Sequence, residues 1–106
     1  MNTKHNAIPA EKILDKFIEQ INFGEFVKHI RESDEITQVE LAKRLNVSKQ
    51  FVNSVESRKA NVSIEMAKKI ADSLDYPYHL FVKILLNDML KKADIKERVE
   101  LVKKSA

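Results

Sequence analysis

Lys49, Gln50, Asn53 and Ser54 place four polar side chains within one short stretch, and their chemistry is that of recognition rather than bond making. A lysine ammonium can donate to guanine O6 and N7. A carboxamide such as that of Gln50 or Asn53 carries the donor and the acceptor that match an adenine edge. The Ser54 hydroxyl suits either a base or a phosphate. The same residue types occur on any solvent-facing helix, so by themselves they do not decide between recognition and plain solvation. Groups for covalent chemistry are scarcer. The chain has no cysteine, hence no disulfide and no thiolate metal site, and it has no Gly-rich phosphate loop. His5, His29 and His79 are too far apart in sequence to form a paired metal or base motif. Neither an enzyme, a metal site nor a cofactor is expected.

The elements that must position the quartet are helices. One glycine (Gly24) and two prolines (Pro9, Pro77) leave little material for hairpin turns, and the apolar residues recur with helical spacing. Leu14, Phe17, Ile18 and Ile21 fall at i, i+3, i+4, i+7, on a helix that Pro9 can open. Phe23, Phe26, Val27 and Ile30 repeat the spacing, with Asn22 and Gly24 as the expected break between the two faces. Thr37-Gln-Val-Glu40 is a capping box that starts a short helix with Leu41, Ala42 and Leu45 inward, and Asn46 can end it in the left-handed conformation. Ser48 caps a second short helix with Val52 and Val55 inward and Phe51 beside them. Ser63 caps a further helix whose inner face is Ile64, Ala67, Ile70, Ala71 and Leu74, broken at Asp75, Tyr76 and Pro77. Between Tyr78 and Lys92 the apolar residues are too many for one stripe, so that helix should bury two faces. Ile95, Val99 and Val102 sit at i, i+4, i+7 in a lysine-rich last segment that reads as a short helix or a frayed tail.

Composition is consistent with this reading. With 106 residues, 43% of them apolar, the chain can bury a core without staples. The start MNTKHNAIPAEK lacks the apolar run of a signal peptide and no stretch is long enough to span a membrane, so a soluble, cytoplasmic protein is expected. The net charge of +3 is too small to announce a nucleic-acid partner, but its distribution is informative. Residues 1–36 carry five cations against seven anions, whereas residues 37–60 carry five against two.

The segment TQVELAKRLNVSKQFVNSVES at 37–57 resembles the helix-turn-helix of the Cro/C1-type, or XRE, family of transcriptional regulators. The likeness rests on Thr37-Gln38, Glu40-Leu41-Ala42, Leu45, Val47-Ser48, Val52 and Val55-Glu56, and runs over about 23–82. It implies an all-α, five-helix, lambda-repressor-like DNA-binding domain at 23–82. An N-terminal helical extension at 1–22 and a C-terminal helical extension at 83–106 would flank it. In such a domain the first helix anchors on phosphates and the second enters the major groove. The resemblance therefore assigns base reading to Lys49, Gln50, Asn53 and Ser54. It makes Gln38 a phosphate ligand that braces them, and Thr37, Lys43, Arg44, Ser48, Arg58 and Lys59 contacts to the DNA backbone. Arg31 and Glu56 fall where the family pairs an arginine with a glutamate to tie two helices together. Arg58 stands where a glycine usually follows the reading helix. A non-Gly residue held left-handed costs roughly 1 to 2 kcal/mol, which leaves the course of the loop at 57–62 open.

The function implied is sequence-specific binding of double-stranded DNA, as a dimeric repressor on a palindromic operator. Phe81, Ile84, Leu85 and Met89 are the candidate dimer seam, although their face could equally cover the N-terminal helix. Two alternatives remain. One is an antitoxin that represses its own operon and binds a toxin protein. The other is a helix-turn-helix fold used only as a protein-interaction module, against which the basic charge of residues 37–60 speaks.

Overall fold

The computed structural model of the chain describes residues 16, 17 and 19–105. Among them are five helices and no strand: α1 (Phe23–Ser33), α2 (Gln38–Leu45), α3 (Lys49–Glu56), α4 (Ile64–Ser73) and α5 (Tyr78–Lys92). Pro9, Leu14 and Ile18, which bore on the first expected helix, lie outside the described residues. Residues 16, 17, 19 and 20 are helical, and the Ile21 amide donates to the Phe17 carbonyl at 2.9 Å.

Side-chain caps start four of the five helices. Asn22 accepts from the Glu25 amide, Thr37 from Glu40, Ser48 from Phe51 and Ser63 from Met66. Each oxygen satisfies an amide that the helix itself cannot reach. At Thr37 the expected capping box is complete, since the Thr37 amide also donates to Glu40 Oε1 at 3.1 Å. The Thr37 amide first, and the Thr37 hydroxyl after it, hold the Glu40 carboxyl below its ordinary range.

The helix ends follow one rule. Glu35, Asn46, Arg58, Asp75 and Asp94 all have positive φ, and each follows the end of a helix. In every case the left-handed residue and its successor donate back into the last turn. At α3 the Arg58 amide reaches the Val55 carbonyl at 3.2 Å and the Lys59 amide the Ser54 carbonyl at 2.8 Å. These are Schellman closures made without glycine. The residue after the left-handed one is Ile36, Val47, Tyr76 or Ile95 at four ends, and the exposed Lys59 at α3.

Glycine serves elsewhere. Asn22 marks the break before α1, as expected, but Gly24 lies inside that helix, where a Cβ would come within 3.0 Å of the Val55 and Glu56 carbonyl oxygens. The backbone of α1 thus rests directly on the end of α3. A single core of residues from all five helices is centred on Phe81, which is 0% exposed and meets Phe26 edge-on at 4.9 Å and Phe23 at 6.5 Å.

Three expectations need correction. Ile64 is 52% exposed: it shares the helical face of Ala67 and Ala71, but as the first residue of α4 it stands beyond the core. Phe81, Ile84 and Leu85 are buried in the chain's own core and cannot form a seam between two chains, whereas Met89 is 53% exposed. The helical extension expected over 83–106 is helical only to Lys92, the end read for that helix from its apolar run, and residues 95–105 have no regular structure, as in the frayed-tail alternative. They are held by side chains instead. Asn87 Nδ2 donates to the Val99 carbonyl at 3.2 Å while its Oδ1 accepts from the Val99 amide at 2.9 Å, and Lys83 pairs with Glu100 at 2.8 Å.

Candidate nucleic-acid interface

α2 and α3 meet through the three-residue link Asn46–Ser48, and the packing behind them is apolar: Leu41, Ala42 and Leu45 on one side, Val52 and Val55 on the other. Burial of those two stripes fixes the rotation of α3, and so decides which residues remain outside. Lys49, Gln50 and Asn53 are exposed and Ser54 is half-buried, so the four base-reading candidates share the open side of one two-turn helix.

A hydrogen-bonded chain runs beneath that face. Arg31, on α1, donates from Nε to Glu56 Oε2 at 2.7 Å and from Nη2 to Glu56 Oε1 at 3.0 Å, a bidentate pair in which both residues are 7% exposed. Its third nitrogen donates to the Ile36 carbonyl at 2.7 Å. The hydrogen bonds that Arg31 donates to Glu56 raise the Arg31 pKa further, against the opposing effect of burial. Gln38 Nε2, from the first turn of α2, donates to the same Glu56 Oε1 at 3.0 Å and to Asn53 Oδ1 at 3.4 Å. One glutamate at the end of α3 is therefore shared by α1 and α2, and Gln38 extends the link to Asn53. No buried side-chain nitrogen or oxygen among the described residues is left without a partner.

The flanking candidates fall into two groups. Thr37 and Ser48 are exposed and occupied as helix caps, Lys43 is exposed, and Arg58 and Lys59 are exposed on the loop after α3. Arg58 is left-handed, with φ 67°, so the loop takes the conformation that its missing glycine made costly. Arg44 differs: its Nη1 donates to the Ser73 carbonyl at 2.9 Å and closes the end of α4, a structural engagement that its sequence position does not reveal.

Two positioning residues escaped the sequence reading. Gly24 sets the separation of α1 and α3, and Asp88 caps α1 from a distance, accepting from the Phe23 amide at 3.1 Å. The signal for Asp88 was its place beside Asn87 in an otherwise apolar run, both being buried. No helix among the described residues is long and apolar enough to cross a membrane.

Residues 27–81, just over half of the chain, match the family model described as Helix-turn-helix. No curated protein matches the chain.

Proposed function

The chain belongs to the Cro/C1-type, or XRE, helix-turn-helix family and is a DNA-binding regulator; from this premise we propose that it is a dimeric repressor that reads a palindromic operator with α3. The observation that carries the reading is the chain Arg31–Glu56–Gln38–Asn53, which braces a polar reading face while leaving Lys49 and Gln50 free at its edge. A site held in register before binding pays less ordering entropy on the duplex.

In this reading Lys49, Gln50 and Asn53 contact base edges and Ser54 a base or a phosphate. Asn53 can donate through Nδ2 and still accept from an adenine N6, because its Oδ1 has a second lone pair beyond the bond from Gln38. Thr37, Ser48, Lys43, Arg58 and Lys59 contact the backbone, and Gln38 does so through its own amide in the first turn of α2, its side-chain hydrogens being taken by Glu56 and Asn53. Arg44 is reserved for α4. The dimer contact falls to the apolar surface left outside the core, Met89 beside Ala60, Val62 and Ala93.

Binding to a pool of genomic fragments at two salt concentrations tests the proposal, with wild type beside the double variant Gln50→Ala, Asn53→Ala. Selection of a palindrome by wild type, weakened by salt and lost in the variant, is the expected result. If wild type selects no sequence, the repressor reading falls.

A further inference from the structure

Behind the loop that follows α3, the end of α5 approaches the start of α1 and leaves a cleft of about 180 Å3, several times the roughly 30 Å3 share of a liquid water. It is lined by Gln20, Asn22, Arg58, Asp88, Lys91 and Lys92. Three cations face one carboxylate there, and that carboxylate is already engaged. Asp88 is 3% exposed and accepts from the Phe23 amide, so its charge is directed to the N-terminus of α1. Lys91 donates to the Ile21 carbonyl at 2.8 Å and the Glu19 carbonyl at 3.1 Å, bonds that fix its ammonium without neutralising it. Lys92 approaches Asp88 only to 3.7 Å, with half of its side chain exposed, a pairing of little strength. The Arg58 side chain has neither a hydrogen bond nor an ion pair among the described residues, although the backbone at that position is held in a conformation that disfavours any side chain.

Gathering three cations around a polar cleft is unfavourable until an anion joins them. We propose that this cleft is an anion site for a phosphate group, which on a bound duplex is a backbone phosphate outside the bases read by α3. Arg58 lies two residues beyond Glu56, the last residue of α3, so a duplex seated on that helix presents its backbone to one wall of the cleft. Lys91 and Lys92 form the other wall. The C-terminal end of α5 then becomes part of the DNA-contacting surface. The DNA form of this site rests on the function proposed above; the anion site itself does not.

Two arms of one experiment on the full chain separate the sources of phosphate. In the first, inorganic phosphate is titrated and the amide resonances of Arg58 and Lys92 are followed by NMR, with potassium chloride at matched ionic strength as control. Saturable shifts with phosphate alone, weakened about tenfold or more in Lys92→Gln, are expected for a charge-assisted contact. In the second, affinity for the selected duplex is measured across salt. There Lys92→Gln should lower the slope of log K against log salt by about 0.9, the effect of one phosphate contact, and Arg58→Gln by a similar amount. Both lysines and Arg58 are exposed, and thermal melts check that the variants fold; Lys91→Gln substitutes for either that does not. Phosphate shifts together with the smaller slope assign the site to the DNA backbone. Shifts with an unchanged slope assign it to a small phosphorylated ligand, and a chain that binds no DNA can still show them. No saturable shift and no change of slope overturn the site.

Discussion

Glu56 accepts from Arg31 twice and from Gln38 once while 7% exposed, so its removal leaves a buried guanidinium uncompensated. Breaking such a pair costs about 3 to 5 kcal/mol, whereas replacing both partners by apolar residues is often neutral. Glu56→Ala should therefore lower both the melting temperature and operator affinity. The double variant Arg31→Met, Glu56→Leu should recover most of the stability but little of the affinity, because Gln38 has lost its anchor. Denaturant melts and fluorescence anisotropy separate the two effects, and an unchanged Glu56→Ala would remove the pair from any positioning role. Arg58 presents the opposite balance. Arg58→Gly relieves left-handed strain of about 1 kcal/mol and should raise the melting temperature by several degrees, while the lost cation weakens DNA binding. If stability and affinity fall together, the backbone at residue 58 carries no such strain.

At the scale of elements, α3 is aimed by the close approach of α1. Gly24→Ala ordinarily stabilises a helix interior by up to about 1 kcal/mol. Here the added Cβ meets two backbone carbonyls, which have no flexible end to move aside. We expect destabilisation of about 3 kcal/mol and a displaced reading helix, read by thermal melts and by the loss of sequence selection. A stabilised variant would show that the two helices can separate at no cost. The start of α2 makes a pH-dependent contribution. The bonds from Thr37 depress the Glu40 carboxyl in the folded chain, so their stabilisation is complete above its ordinary value near 4.5 and is lost as pH falls through the depressed folded value. Glu40→Gln should flatten this part of the acid limb, as followed by melts between pH 6 and pH 2. The starts of helices were legible in the sequence, since Thr37, Ser48 and Ser63 cap within three residues of themselves. Their ends were less so. Asn46 was readable as a left-handed residue, and Asp75 and Asp94 share that enrichment, but Glu35 and Arg58 have side chains that carry no such preference. Gly24 was visible as a glycine but not as a contact, because the carbonyls that demand it lie about thirty residues away.

On the scale of the whole molecule, α5 decides how the surface is shared. Its apolar excess suggested two buried faces; only the packed chain shows that Phe81, Ile84 and Leu85 are buried while Met89 is exposed. The polar pair Asn87 and Asp88 completes the division, one holding Val99 and the other the start of α1, at separations of 12 and 65 residues that no local pattern encodes. A palindromic operator demands two α3 helices about 34 Å apart, one helical turn of the duplex, and a contact that holds them there. If that contact is centred on Met89, Met89→Lys places a charge in it without touching the core, so the unfolding free energy of the monomer should stay within about 0.5 kcal/mol of wild type. Sedimentation should then show a monomer. Affinity for the full palindrome should fall by about 10²-fold or more as the linked second site is lost, while binding to an isolated half-site is retained. A variant that still sediments as a dimer places the seam elsewhere on the molecule. One that loses half-site binding as well shows that residue 89 acts through α3 instead of through a partner.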